Sequence, residues 1–379
     1  MLDEVVECVL KRVKNAKWHV AKYPTGLDEK VKDFEREVLK QPQHSGKVQV
    51  LGIVAMGGMG KTTLAVEFFN RKNSDYNKSY CLLDVRENAR KNSLHSLQSK
   101  VLRGLTQQDV NIENTHQGTG ILKRYLRDCH VLLILDDVDH EDQLDAFLPV
   151  KDVLRFDSLV LITSRDREVL RKSGVEESSI YMLKGLSTKH SRELFCSYAF
   201  CKPYPLQGFE ALVNEFIEAC QGLPLSLKVF GALFLGRNDN KYFWWDTLSL
   251  VHQQLPDDIQ KRLKISYDAL HEMEQEMFLD IACFFIGEKR DITMWIWDDP
   301  YWKGSLGFQN LESKCLVDVD GANCIHMHDQ LRDLGRDIAR GELPHRFSDP
   351  AENIHDLLQQ PSVSVYHLLF LIFSCNKYV

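Results

Sequence analysis

The sequence predicts an α/β fold, with a doubly wound parallel sheet in the first half of the chain and helices in the second half. Apolar runs of strand character alternate with segments of helical periodicity up to residue 163, which is the pattern of parallel strands joined by crossover helices. A Gly-rich turn follows the first of these strands, and a later run of five branched apolar residues ends in two aspartates. After Ser187 the strand pattern gives way to helices.

The expected elements of the first half follow from apolar periodicity and from turn residues. Apolar positions at helical spacing predict a lead-in helix at 1–20, which a Tyr-Pro-Thr-Gly turn at 23–26 would end. We then expect strands at 48–54, 79–85, 130–135 and 158–163. The helices expected between them are 61–72, 93–105, 118–128 and 141–148.

The second half contains mainly helical patterns, which we expect at 187–200, 207–221, 223–235, 259–267 and 274–285. Short strands at 315–319 and 324–328 flank Asp320-Gly321, a hairpin-type turn. A final helix is expected at 329–340.

The composition indicates an intracellular globular protein. The chain has 379 residues, enough for two or three domains, and a net charge of −7 with no long block of one sign, so no nucleic-acid surface is predicted. Ten cysteines occur without a C-x-x-C pair, as is typical of a reducing compartment. The start is acidic, unlike a signal peptide, and the apolar segment at 363–375 is shorter than the ~20 residues of a membrane helix. We therefore expect a cytoplasmic protein without a membrane partner.

The Gly-rich turn from Ala55 to Thr63 has the sequence of a phosphate-binding loop. It follows the apolar run at 48–54 and precedes a helical stretch at 64–70, so that backbone N–H groups and a helix N-terminus would face a phosphate. Ala55 stands where the pattern G-x-x-x-x-G-K-[ST] usually begins with Gly, and a small side chain suits that place. The backbone of this loop would contact the nucleotide at Gly57, Gly58, Met59 and Gly60.

The last three residues of the loop have separate expected roles. Lys61 would supply a cation to the β- and γ-phosphates, and Thr62 would offer its hydroxyl to Mg²⁺. Thr63 would cap the helix or approach the α-phosphate.

Asp136 and Asp137 follow the apolar run at 131–135, which has the composition of a parallel strand buried on both faces. The two carboxylates would then lie at the C-terminal edge of the sheet, where open α/β sheets bind ligands. We expect Asp136 to hold Mg²⁺, directly or through water, and Asp137 to position a water molecule or to act as the catalytic base.

Eight motifs occur in an order that resembles the NB-ARC nucleotide switch of plant intracellular immune receptors. These motifs are the phosphate loop 55–63 and the segments 85–87, 132–139, 161–165, 194–200, 222–225, 278–285 and 327–329. The resemblance covers about residues 20–345. Asp139 and the segment 278–285 are typical of the TIR-containing class of nucleotide-binding leucine-rich-repeat (TIR-NBS-LRR) proteins, which belong to the STAND class of P-loop ATPases.

The resemblance implies further site residues. Arg165 matches the arginine that senses a γ-phosphate, and a guanidinium group suits that contact. Pro224 matches the residue that packs on the adenine. His328 matches the histidine that contacts the ADP β-phosphate, and Asp329 would begin and cap the final helix.

The family also implies an organisation for the chain. A linker helix would occupy 1–22, a P-loop nucleotide-binding domain 23–185, a helical ARC subdomain 186–262 and a winged-helix ARC subdomain 263–342. A tail at 343–379 would lead towards absent leucine-rich repeats. The fold expected is thus an α/β P-loop NTPase domain followed by a helical bundle and a winged-helix subdomain.

The implied function is an ADP/ATP-binding switch that controls defence signalling by nucleotide exchange. Self-association in the ATP state, and contact with an effector or a guarded host protein through the missing repeats, would follow from the family. At most slow ATP hydrolysis is expected, and no NAD cleavage, because the TIR domain is absent from the sequence. Two alternatives are a P-loop ATPase with productive turnover and an ADP-bound oligomerisation scaffold.

Overall fold

A computed structural model of the chain describes residues 17–39, 48–237, 240–252, 259–299 and 302–342. Its contacts divide the chain into two compact units. The first unit extends to Leu194 and also includes Gln221–Leu225. The second unit contains Phe195–Cys220 and the chain from Ser226 onwards. No helix among the described residues has the length and apolarity needed to cross a bilayer.

The first unit is built on a five-stranded sheet in which every neighbouring pair of strands is parallel. In the order of the sheet the strands are β2 (Lys78–Leu82), β3 (Val131–Val138), β4 (Leu159–Ser164), β1 (Gln49–Val54) and β5 (Ile180–Met182). The four strands expected from the sequence are all present, and the short β5 adds a fifth. The doubly wound α/β prediction is therefore confirmed.

Both faces of this sheet are covered. Along β3, Leu133 and Leu135 face one apolar cluster, and Leu132 and Ile134 face another, because successive side chains of a strand point to opposite sides. The helices of this unit and its border are α1 (Leu27–Phe34), α2 (Lys61–Lys72), α3 (Val85–Lys91), α4 (Leu94–Thr106), α5 (Thr115–Leu126), α6 (Glu141–Phe147), α7 (Arg167–Lys172) and α8 (Thr188–Phe200). Burial on both sides explains why β3 is an unbroken apolar run.

The segment before α1 differs from the prediction. Residues 1–16 lie outside the described residues, and 17–22 are irregular rather than helical, so the linker helix expected at 1–22 is wrong for this part. The Trp18 amide donates to Asn70 Oδ1 at 2.9 Å, and Asn70 Nδ2 donates to the Trp18 carbonyl at 2.9 Å. The Trp18 ring also contacts Phe69 edge-on. These contacts with α2 satisfy the backbone groups that a helix would have bonded internally.

The second unit is mainly helical. It contains the end of α8 and the helices α9 (Glu210–Cys220), α10 (Pro224–Leu233, which begins in the first unit), α11 (Lys241–His252), α12 (Ile259–Asp268), α13 (Glu272–Asp280), α14 (Arg290–Trp297), α15 (Gly304–Ser313) and α16 (Asp329–Glu342). Around Trp244, which is fully buried, the rings of Phe195, Phe216 and Phe234 form an aromatic core. The Phe234 and Trp244 rings stack with centroids 3.9 Å apart.

The end of this unit combines three helices with small antiparallel strands. The strands are β6 (Asp298–Asp299) paired with β7 (Trp302–Lys303), and β8 (Asp318–Val319) paired with β9 (Ile325–His326). The expected hairpin around Asp320 is confirmed, although its strands are shorter than predicted. The helix predicted at 274–285 is α-helical only to Asp280, and Ile281–Phe285 form a π-helical turn. The expected tail at 343–379, with its apolar segment at 363–375, lies outside the described residues.

Candidate nucleotide site

The sequence-predicted residues of the first unit meet at the carboxyl edge of its parallel sheet. Strand β1 leads into the phosphate loop, β3 ends with the two aspartates, and β4 leads into Arg165. Because β3, β4 and β1 are consecutive in the sheet, their last residues are neighbours. A crevice of this kind, outside the carboxyl ends of parallel strands, is where open α/β sheets bind ligands.

The phosphate loop has the backbone conformation that its glycines allow. Gly58 and Gly60 have φ values of 77° and 91°, in the left-handed region, and Gly60 is the residue before α2. A Cβ atom at Gly60 would meet no atom within 4 Å, so the loop is open at this position. The start of α2 therefore offers backbone N–H groups and the positive end of a helix to an anion.

Lys61 is buried within its own loop. Its Nζ donates to the Ala55 carbonyl at 2.8 Å and to the Met56 carbonyl at 3.1 Å. Burial lowers the pKa of Lys61 to about 8, although the Asp137 carboxylate opposes the shift. A bound phosphate would favour the charged form of this lysine.

Asp136 is completely buried and holds the phosphate loop to the sheet. The Thr62 hydroxyl lies 2.9 and 3.0 Å from the two carboxylate oxygens and donates to them. The Thr163 hydroxyl of β4 donates to the same carboxylate at 2.7 Å. Burial raises the pKa of Asp136 to about 6, while the two hydroxyl groups partly offset that shift. A buried carboxylate next to a threonine hydroxyl is a suitable pair of oxygen ligands for Mg²⁺.

Asp137 has a left-handed backbone conformation, with φ of 55°, and the pairing of β3 with β4 shifts register between Leu135 and Val138. Its amide donates to the Thr163 hydroxyl at 2.9 Å. Its carboxylate faces two arginines: Arg86 Nε lies 2.8 Å from one oxygen and Arg165 Nε lies 3.5 Å from the other. Asp137 and Arg165 therefore lie together at the carboxyl edge of the sheet.

Pro224 belongs to a segment that contacts the phosphate loop within the first unit. The Leu225 amide donates to the Gly58 carbonyl at 3.2 Å, and the Leu186 amide donates to the Gly222 carbonyl at 2.8 Å. Gly58 must lack a side chain here, since a Cβ atom would lie 2.9 Å from Leu225 Cβ. Pro224 is the first residue of α10, a position that suits its fixed φ and missing N–H. Pro224 therefore lies in a segment that packs against the phosphate loop.

His328 lies in the second unit, immediately before α16, which begins at Asp329 as expected. Its Nδ1 accepts a hydrogen bond from the Gln330 amide at 3.1 Å, so the imidazole caps the helix. Because Nδ1 is the acceptor, the neutral ring carries its proton on Nε2, the atom that would donate to a phosphate.

The sequence did not identify two residues of the candidate site, Thr163 and Arg86, as site residues. Thr163 joins the aspartates through its hydroxyl, and Arg86 contacts Asp137 from the first turn of α3. Both occur within recognised motifs, at 161–165 and 85–87, but only the paired strands place their side chains against β3. The informative signal was their position directly after or at the end of predicted strands.

The residues fit a nucleotide with Mg²⁺. The open glycine loop, the lysine held among loop carbonyls, and the Thr62–Asp136 pair would supply phosphate donors, a cation and metal ligands. These features define a P-loop nucleotide-binding protein. The model of the family described as "NB-ARC domain" matches residues 31–204, and that of the "Disease resistance protein Roq1-like, winged-helix domain" matches residues 271–342.

The chain therefore carries an NB-ARC domain, followed by a winged-helix domain, and is a homologue of plant disease resistance proteins of the TIR-NBS-LRR type. It is 32% identical over 345 residues to disease resistance protein RUN1 of Vitis rotundifolia, covering 90% of this chain and 25% of that protein. It is 35% identical over 312 residues to TMV resistance protein N of Nicotiana glutinosa, covering 80% of this chain and 26% of that protein. The chain thus spans about a quarter of the length of these relatives.

A solved structure with a similar chain path is a signal transduction ATPase with numerous domains (STAND) protein from Pyrococcus horikoshii, which has a tetratricopeptide repeat sensor. The TM-score is 0.47 at 15% sequence identity, over 90% of this chain and 45% of the other.

The buried carboxyl group of Asp136 generates a prediction for the ligand-free protein. Because burial raises its pKa to about 6, the ionised group opposes folding at pH 7.5, and Asp136→Asn should raise the free energy of unfolding by ~1–3 kcal/mol. The gain should shrink as the pH falls through 6 and vanish below ~4, where the carboxyl is protonated in both states. Urea denaturation at a series of pH values measures this. A gain of equal size at pH 4 and pH 7.5 would contradict the assigned cause.

Proposed function

We propose that this chain is the ADP/ATP-binding conformational switch of an intracellular plant immune receptor and that nucleotide exchange controls defence signalling. A switch requires a site whose contacts differ between ADP and ATP, because only differential affinity shifts a two-state equilibrium. The site must therefore hold the phosphates shared by both nucleotides and must respond separately to the γ-phosphate.

The observation that carries the proposal is the pairing of Arg165 with Asp137 beside the phosphate loop. Arg165 Nε lies 3.5 Å from Asp137 Oδ1, a longer separation than the 2.8 Å between Arg86 and the other oxygen. The Arg165 guanidinium can exchange this loose contact for the γ-phosphate of ATP, which ADP does not have. Gly57, Gly58, Met59, Gly60, Lys61, Thr62 and Thr63 would serve both nucleotides.

The charges around Asp137 favour a switch over an ATPase with productive turnover. Both oxygens of the Asp137 carboxylate face guanidinium groups, Arg86 at 2.8 Å and Arg165 at 3.5 Å, so the carboxylate is poorly placed to accept a proton from an attacking water. Any hydrolysis that Asp137 supports should then be slow and should reset the switch to ADP. Mg²⁺ would be held by Thr62 and Asp136 together with the phosphates.

His328 and Pro224 complete the proposal on the basis of the family resemblance. Pro224 would pack on the adenine, and His328 would donate from Nε2 to the β-phosphate of ADP in the closed state. Since His328 also caps α16, loss of its phosphate contact would be felt directly at the first turn of this helix. The closed ADP state and an open ATP state would differ in this contact.

The activities of the whole receptor are part of the proposal because the chain spans about a quarter of its relatives. Self-association in the ATP state would transmit the signal, and repeats elsewhere in a full-length receptor would recognise an effector or a guarded host protein. A cytoplasmic location would fit the family to which the matched NB-ARC model belongs. ADP-bound oligomerisation without a switch is the remaining alternative, and a protein whose mass is the same with ADP and ATP would support it.

The phosphate loop gives the first test of this function. ADP at ~100 times its dissociation constant should stabilise the folded chain by ~2.7 kcal/mol, and Lys61→Ala should remove most of that gain. Lys72→Ala, at the other end of the same helix, is the matched control and should keep it. Thermal shift with and without ADP measures both. Equal ADP shifts in the wild-type protein and in Lys61→Ala would show that the loop does not hold the nucleotide.

The two roles of His328 can be separated by substitution. His328→Ala removes both the cap and the phosphate donor, whereas His328→Asn keeps a side-chain oxygen that is well suited to a helix N-cap. If His328 contacts ADP, both variants should release ADP faster than the wild type, by about fivefold or more, the effect of ~1 kcal/mol. Dissociation of a fluorescent ADP analogue measures the rate. Faster release from His328→Ala alone would assign the residue to capping only.

A further inference from the structure

Arg86 has a position that the proposed switch does not yet use. It lies in the first turn of α3, and α3 follows directly on β2, the strand next to β3. Asp84, with φ of 52°, turns the chain between strand and helix. The Arg86 side chain is 8% exposed, and its Nε donates to Asp137 Oδ2 at 2.8 Å. Both side chains of this ion pair are largely buried, at 8% and 12% exposure.

Asp137 is held from two sides. Its backbone amide is bonded to Thr163, and Thr163 is bonded in turn to the Asp136 carboxylate. Its side chain is held by Arg86. The left-handed conformation is unfavourable for a residue with a side chain, so the surrounding contacts must maintain it. The distance from Arg86 to the Asp137 carboxylate, 2.8 Å, is shorter than the 3.5 Å from Arg165. Arg86 can therefore stay in contact with Asp137 when Arg165 moves to a γ-phosphate.

The negative charge of Asp137 matters for ATP binding when Arg165 leaves it. Lys61, Arg86 and Arg165 supply three cations close to the carboxylates of Asp136 and Asp137. If Arg165 leaves Asp137 to meet a γ-phosphate, an unpaired Asp137 carboxylate would repel the same phosphate. A guanidinium group that remains on Asp137 removes that repulsion. ADP, which has no γ-phosphate, would depend on it much less.

We propose that Arg86 is the positioning residue that holds and neutralises Asp137 when the site accepts ATP, and that it thereby sets the preference between ATP and ADP. This inference rests on the proposed function, since it assumes that both nucleotides bind at the phosphate loop. A merely structural ion pair would affect the two nucleotides equally.

The test compares ATP and ADP affinities, both with Mg²⁺, in a set of variants. Arg86→Gln should weaken ATP binding on the order of tenfold, as expected for a newly exposed like-charge contact, and change ADP binding less than about twofold. Arg90→Gln is the matched control on the same helix. Arg90 pairs with Asp139 at 3.2 Å and is largely exposed, so both affinities should stay unchanged.

A double-substitution cycle shows whether Arg86 acts through Asp137. In the Asp137→Asn background no carboxylate is left to neutralise, and adding Arg86→Gln should have little further effect on ATP binding. The double variant also removes both partners of the buried pair, which preserves folding better than the loss of one. If Arg86→Gln alone does not fold, comparison of the double variant with Asp137→Asn still decides the question: unchanged ATP binding supports the inference.

Two outcomes would overturn the inference while leaving the switch intact. One is an equal loss of ATP and ADP affinity in Arg86→Gln, and the other is the same loss of ATP affinity with and without the Asp137 carboxylate. Failure of the proposed function looks different, because the wild-type protein would then bind neither nucleotide.

Discussion

The hydrogen bonds that the Asp136 carboxylate accepts from Thr62 and Thr163 connect the three parts of the candidate site. Thr62 lies in the first turn of α2, Asp136 follows the apolar part of β3, and Thr163 belongs to β4. The Thr163 hydroxyl also accepts a hydrogen bond from the Asp137 amide. The position of Asp137 therefore depends on the hydroxyl that Asp136 holds in place. The completely buried carboxylate is costly in the ligand-free protein, and a cation bound beside it would relieve that cost.

The sequence predicted the elements whose physical basis is local. An apolar run between turn residues identified β3, and the loop up to Thr63 identified the start of α2 at Lys61. The sheet, its topological class and the positions of Lys61, Thr62 and Asp136 followed from these signals. The resemblance added Arg165, which the structure places on Asp137, and Pro224, whose segment contacts the phosphate loop at Gly58.

What the sequence could not predict depends on contacts between distant parts of the chain. Arg86 is 51 positions from Asp137, and only the parallel pairing of β2 with β3 brings them together. The helix expected at 1–22 has a clear apolar period, but at Trp18 bonds to Asn70 replace helical bonds. The imidazole of His328 accepts a hydrogen bond from the Gln330 amide, a capping contact that the sequence did not indicate for this residue.

The proposed switch requires the loop and the aspartates to hold an adenine nucleotide whose identity sets the state of the protein. The most direct measurement is to denature the purified chain and to identify the released nucleotide by chromatography. We expect ADP in an amount equal to that of the protein, and its replacement by ATP after incubation with excess Mg²⁺-ATP. A folded protein that releases no nucleotide, and that retains neither ADP nor ATP after incubation, would contradict it.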